Sequence, residues 1–239
     1  MAPSVTAHRG LWWPDRSAEN TLPAFDAAFR AGFGVEVDVR RVLDGPLILA
    51  HDKPQMFADL SGLALWEQFL ELAWAAPSDL PILVNLKEPG TEADVAKSIQ
   101  KAGLHPRCWL FDFELCGADP TVVKAHAPEV RCLARVSDRP DGEHGGDLDG
   151  RAAPHLPPWA TGFWLDQWEV DWVDADAVDA WGALGPVFVA APDLHGRPFD
   201  LGLVGGWAKA AGFCTDVPHL ITALYDPERP ELHPADPWW

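Results

Sequence analysis

Short apolar runs alternate with amphipathic segments from one end of the chain to the other. The runs fall at residues 5–7, 35–39, 82–86, 109–113, 132–136, 163–165, 187–191 and 213–215, each short enough for a buried strand. A further run at 46–50 reads as an extension of the loop after the second strand. Between the runs the period changes. Leu22, Phe25 and Phe29 recur at helical spacing, with Thr21 placed to cap the helix, Pro23 in its first turn and Gly32 just past its end. Thr91 and Asp94 open a second helix whose apolar face is Val95 and Ile99 and whose end is Gly103. Segments 175–184 and 199–210 carry weaker helical patterns.

Strands that alternate with helices imply parallel pairing through right-handed crossovers. Eight such units in 239 residues predict a single-domain (β/α)8 TIM barrel. The competing open doubly wound sheet would bring a glycine-rich phosphate loop after a strand, and no strand here is followed by one. Residues 137–158 interrupt the alternation. Asp138, Asp141, Glu143, Asp147 and Asp149 lie there among glycines and prolines without an apolar period. This segment reads as a long irregular loop after the fifth strand, either a lid over the site or a solvated excursion.

Composition narrows the class of partner. A formal charge of −18 opposes binding to nucleic acid or to an anionic membrane surface, yet leaves room for a small phosphate ester beside a few concentrated cations. No apolar run approaches the roughly 20 residues of a bilayer span, and no secretory signal pattern follows Met1. Cys108, Cys116, Cys132 and Cys214 lack metal-ligand spacing and read as free thiols of a reducing compartment, hence a cytoplasmic protein. The sequence leaves the oligomeric state open. Most of the 13 tryptophans suit packing; Trp12, Trp13 and Trp168 fall in loops where they could face a pocket. The Asp236-Pro237-Trp238-Trp239 tail is either a packed end or an interface.

The polar residues sit where one rim of a barrel would be, which is where barrel chemistry lies. His8 and Arg9 follow the first strand, Glu36 and Asp38 lie on the second, and His51 follows in the next loop. Asn85 and Lys87 end the third, Asp166 and Asp193 the sixth and seventh, and His195 and Arg197 follow the seventh. Two residues apart on a strand, Glu36 and Asp38 point to the same side, and a hard cation would offset the cost of burying both. A histidine before and after them offers an acid and a base, the outline of metal-assisted phosphoryl transfer. Ion pairs offer the alternatives: Arg40 or Arg41 for the two acids, and an acid inside the barrel for Lys87. For Asp193, His195 and Arg197, loop packing stands beside substrate recognition.

Ala7-His8-Arg9-Gly10, Glu19-Asn20-Thr21, Glu36-Val37-Asp38 and His51-Asp52, in that order, resemble the glycerophosphodiester phosphodiesterase family of the phospholipase C-like phosphodiesterases. Cys214-Thr215-Asp216-Val217-Pro218 is similar to its closing strand motif. The resemblance implies a TIM barrel that holds one divalent cation, magnesium or calcium, and cleaves a small phosphodiester. It implies His8 and His51 as the acid/base pair, Arg9 and Lys87 as phosphate contacts, and Glu36 and Asp38 as metal ligands. The family's third-strand pattern has glutamate two residues before the lysine, where this chain has Asn85. An amide oxygen still ligates a hard cation, with one negative charge fewer. Asn85-x-Lys87 and Leu194-His195-Gly196-Arg197 resemble a bacterial subset of the family. The substrate implied is a glycerophosphodiester or a sugar-linked analogue. The alternatives are a weakly catalytic or non-catalytic phosphate-ester-binding barrel, and a lyase or transferase that leaves a cyclic phosphate.

Overall fold

A computed structural model describes residues 2–42, 45–54, 62–139, 148–198 and 200–225. Residues 140–147 of the irregular 137–158 loop, and the whole tryptophan tail, lie outside them. Eight parallel strands close into a barrel: β1 (Ser4–Ala7), β2 (Gly34–Arg41), β4 (Ile82–Leu86), β5 (Cys108–Phe111), β6 (Arg131–Ser137), β8 (Gly162–Asp166), β9 (Val187–Ala190) and β10 (Gly212–Thr215). Neighbours pair in that order, and β1 pairs with both β10 and β2 to complete the ring. The expected (β/α)8 barrel is the fold observed.

Period-2 alternation divides each strand between two cores. Val35, Val37 and Val39 of β2 and Ile82, Val84 and Leu86 of β4 face outward and pack with Phe25, Phe29, Trp66 and Phe69 of the helical layer. Leu83, Trp109, Phe111, Leu133, Trp164, Phe188 and Cys214 fill the barrel interior as a separate apolar floor. The register pairs Glu36 with Leu83 and Asp38 with Asn85, so acids and amide share the inward side, Asp38 and Asn85 one layer above that floor.

Helix α1 (Leu22–Arg30) starts as its sequence predicts. The Thr21 side chain accepts a hydrogen bond from the Ala24 N–H, Pro23 occupies the first turn, and Gly32 has a φ of +75°. Helices α3 (Glu92–Lys101) and α6 (Ala175–Gly182) match their predicted segments. Elsewhere the structure departs from the pattern. Run 46–50 is a strand, β3 (Leu47–Leu49), antiparallel to β2. The fourth run stops at Phe111 because Asp112 turns left-handed, with a φ of +66°, and starts the short helix α4 (Phe113–Cys116). Within the irregular segment, β7 (Leu148–Asp149) pairs with β6. Helices α2 (Trp66–Ala75), α5 (Pro120–His126) and α8 (Pro218–Tyr225) fall where the sequence analysis names no helix, and segment 199–210 contributes α7 (Leu201–Gly205). Among the described residues no helix is long and apolar enough to cross a membrane.

Candidate active site

A cavity of about 710 Å3 opens at the C-terminal end of the barrel. Its first half is built from β1, β2, β4 and the loops that follow them. His8 is buried just past β1, and its Nδ1 lies 2.6 Å from Asp216 Oδ1, beyond the end of β10. That partner leaves Nε2 facing Glu36 Oε2 at 3.9 Å. Burial alone would lower the basicity of His8; the Asp216 hydrogen bond and the Glu36 charge more than offset it, and its pKa is raised. His51 stands at the mouth, its side chain 43% exposed and its Nδ1 2.8 Å from Asp52 Oδ1. Partial burial and the Lys87 charge lower its pKa. The two histidines line one cavity with their basicities displaced in opposite directions.

Asp38, between them, is wholly buried and saturated with positive charge. Lys87 Nζ lies 3.0 Å from one oxygen and Arg9 Nε 3.0 Å from the other, which also accepts a 2.8 Å bond from the Asn20 amide. Burial pushes the Asp38 carboxyl up, but Lys87 and Arg9 outweigh it and hold it below the ordinary carboxylate range. Arg9 also reaches Glu19 at 2.7 Å. Glu36 lies farther from positive charge, with His8 Nε2 at 3.9 Å; burial and the Asp38 charge outweigh His8, Lys87 and Arg9 and push its pKa up to about 7. Beside them Asn85 Oδ1 is buried with no hydrogen-bond partner. An acid short of positive charge, an orphaned amide oxygen and a nearby carboxylate are hard oxygen donors of the kind a divalent cation takes. Glu36 and Asn85 fit such an ion directly, while Asp38 fits only through the oxygen that now faces Lys87.

The second half is walled by β5, β6 and β8 and the loop after β9. Arg135 is almost fully buried and bonds Asp112 with one guanidinium nitrogen and Asp166 with the other. The other Asp166 oxygen is 2.5 Å from His195 Nε2. Burial would raise the Asp166 pKa, but the Arg135 charge and the His195 bond lower it. Trp168 stacks on His195 with ring centroids 3.9 Å apart, and the guanidinium carbons of Arg135 and Arg139 lie 5.5 and 5.7 Å from the Trp168 centroid. Arg9, Asn20 and Asp112 are the non-glycine residues with positive φ among those described, and all three hold side chains of this site in place.

The structure thus gathers His8, Arg9, Glu36, His51, Asn85, Lys87, Trp168 and His195 around one cavity, with Asp38 just behind its wall. Three residues read as substrate contacts are placed otherwise. Trp12 is buried and donates its indole N–H to the His8 carbonyl at 3.0 Å, bracing the turn instead of facing the cavity. Asp193 accepts from the Thr215 hydroxyl and the Asp216 N–H, each at 2.7 Å, and so holds the loop that presents Asp216 to His8. Burial, with Asp216 adding to it, pushes the Asp193 pKa up to about 6. Arg197 ties down the loop after β8, through the Gln167 carbonyl and Asp171. The sequence reading gave no role to Asp112, Arg135 or Asp216. An arginine inside the apolar run of β6 was the available signal, since such a charge must be paired to be buried.

Residues 8–61 match the sequence model of the Glycerophosphoryl diester phosphodiesterase family. No curated protein matches the chain in sequence. Among solved structures, a glycerophosphodiester phosphodiesterase from Parabacteroides distasonis aligns at 17% identity with a TM-score of 0.64, over 95% of this chain and 98% of that one. One from Agrobacterium tumefaciens aligns at 18% and 0.61, over 94% and 99%. An Oleispira antarctica phosphodiesterase, solved in complex with the product sn-glycerol-3-phosphate, aligns at 18% and 0.63, over 94% and 97%. The N-terminal segment that supplies His8, Arg9, Glu36, Asp38 and His51 is thus the part of the chain that matches the Glycerophosphoryl diester phosphodiesterase family model, and it sits in a barrel of the same fold as those solved structures.

Proposed function

We propose that this cavity hydrolyses a small phosphodiester, a glycerophosphodiester or a sugar-linked analogue, to a phosphomonoester and an alcohol. The observation that carries the reading is that His8 and His51 line one cavity, each with a carboxylate on Nδ1, with Arg9 and Lys87 between them. Groups whose environments push their pKa values apart suit opposite proton-transfer roles. His51, the less basic, takes a proton from water as the water oxygen bonds to phosphorus. His8, kept protonated, gives its Nε2 proton to the leaving alkoxide as the phosphorus–oxygen bond breaks. Asp216 and Asp52 fix the ring orientations. Arg9 and Lys87 stand where charge gathers on the phosphoryl oxygens.

One divalent cation, magnesium or calcium, suits Glu36, Asn85 and the Lys87-facing oxygen of Asp38, and when bound it would add positive charge beside the phosphate. Lys87 is then free to turn from Asp38 toward the substrate. The four free thiols, Cys108, Cys116, Cys132 and Cys214, suit a reducing compartment such as the cytoplasm.

Phosphorus NMR on a panel of glycerophosphodiesters, with magnesium, calcium or manganese, tests the reading. An open monoester is expected from the wild type and essentially none from His8→Ala or His51→Ala, both retaining the native circular dichroism. A cyclic phosphate as the end product would make the protein a lyase or transferase, and full turnover in both variants would end the two-histidine mechanism.

A further inference from the structure

An acid that protonates a leaving oxygen must present one ring nitrogen in one direction, so the orientation of His8 matters as much as its basicity. Residues 215 and 216 supply that orientation. The Thr215 carbonyl accepts the His8 backbone N–H at 3.0 Å, and Asp216 Oδ1 lies 2.6 Å from His8 Nδ1. The ladder between β9 and β10 ends at Ala190 and Cys214, so the loop that carries Asp216 takes its conformation from elsewhere. The Asp216 side chain is still 17% exposed, and water competes with His8 for its carboxylate.

Asp193 decides that competition. Its Oδ2 accepts the Thr215 hydroxyl and the Asp216 N–H, each at 2.7 Å, and the Thr215 oxygen in turn accepts the Val217 N–H at 3.0 Å. One carboxylate oxygen thus fixes three successive residues, and the middle one holds the acid histidine. A group that positions another must itself be fixed. Asp193 sits on the short 3-10 helix Pro192–His195, which is tied on both flanks. The Ala191 N–H donates to the Cys214 carbonyl at 2.9 Å, His195 bonds Asp166, and Arg197 reaches the Gln167 carbonyl and Asp171. The buried cluster of Asp112, Arg135 and Asp166 takes no part in the proton transfers, yet through His195 it anchors the element that carries Asp193. We propose that Asp193 is the positioning residue of the acid histidine: acting through Thr215 and Asp216, it holds the His8 ring with Nδ1 on Asp216 and Nε2 toward the cavity, without touching the substrate.

The role rests on the phosphodiesterase reading for what His8 does, so one of its two readouts needs no turnover. The His8 Nδ1 proton, in a 2.6 Å bond to a carboxylate, should give a downfield proton NMR resonance, assigned by its loss in His8→Ala. In Asp193→Ala that resonance should disappear, and kcat should fall at least about 100-fold with KM within about threefold, the pattern of a misplaced catalytic group. Asp193→Asn keeps an oxygen for both donors and should restore the resonance and most of kcat. A structural role alone would lower thermal stability and leave the resonance and the kcat of the folded protein unchanged, which would overturn the proposal. A rise in KM at unchanged kcat, an Asn variant as impaired as the Ala variant, or a wild type without the resonance would overturn it too. If Asp193→Ala does not fold, Thr215→Val removes the hydroxyl link at constant shape, and the same two readouts decide. A wild type that turns over no diester would end the phosphodiesterase reading, while the resonance would still decide whether Asp193 holds His8.

Discussion

Replacing Arg135 with methionine keeps much of the volume and removes the charge that bridges Asp112 and Asp166. The wild-type guanidinium is almost fully buried and bonds both carboxylates. The variant would leave two buried acids without their shared cation. Removing one partner of a buried ionic group costs about 3–5 kcal/mol, a large part of the roughly 5–15 kcal/mol that holds a domain folded. The pH dependence gives the test its sign. The native Asp166 pKa is lowered from 3.8, so its contribution is present above the unfolded value and is lost as pH falls through the lower folded one. Without Arg135, burial favours the neutral acid, and protonation relieves the strain. The difference between wild type and variant should therefore be greatest at pH 7 and shrink toward pH 4. Urea unfolding followed by tryptophan fluorescence at both pH values measures it. Lys209→Met is the control, since Lys209 lies 2.5 Å from Asp179 but the two side chains are 73% and 47% exposed. Its loss should cost under about 1 kcal/mol. An Arg135→Met cost as small as the control's, or one that stays the same from pH 7 to pH 4, would refute the reasoning that burial, and not contact distance, sets the energy.

Three other outcomes are expected. Asn85→Glu restores a third carboxylate beside Glu36 and Asp38 and should tighten magnesium or calcium binding in a calorimetric titration; unchanged or weaker binding would remove position 85 from the ligand set. Asp193→Asn keeps an oxygen for Thr215 and Asp216 but abolishes a carboxyl whose pKa rises from 3.8 to about 6. Folding retains that proton, so the wild type should lose about 2 kcal/mol of stability from this group as pH climbs from 4 to 6.5. A variant with the same fall across that window would contradict the assignment. Gly10→Ala should destabilise the protein by about 1–3 kcal/mol in thermal unfolding, because Gly10 has a φ of +87° and a Cβ there would meet Ala24 backbone at 2.9 Å. A neutral substitution would mean that the turn after β1 shifts freely.

The barrel was legible because each strand carries its orientation in its own alternation. Val35, Val37 and Val39 could pack outward only if Glu36 and Asp38 turned inward, so one strand disclosed both the outer core and half of the candidate site. His8, Arg9, His51 and Lys87 were readable for the same reason, lying at or just past strand ends. The helix at 22–30 was marked by its own cap and stop. Where short-range signals were weak, the reading failed: β3 is a strand because β2 offers it an edge, whereas α2 did carry a pattern, Trp66, Phe69, Leu70 and Ala73 at helical spacing, that the reading passed over.

What pairs with what was a matter for tertiary structure alone. Asp216 reaches His8 from 208 residues away because closure of the barrel makes β1 and β10 neighbours. The sequence offered Lys87 either phosphate or an acid; in the fold it lies against Asp38, the buried carboxylate within its reach. Arg135 was an anomalous charge in an apolar run until β5 and β8 brought Asp112 and Asp166 to either side of it. Local sequence fixes which side of a strand a residue faces, since pleating is a property of the strand itself. The choice of partner depends on distances between strands, and those exist only once the barrel has closed.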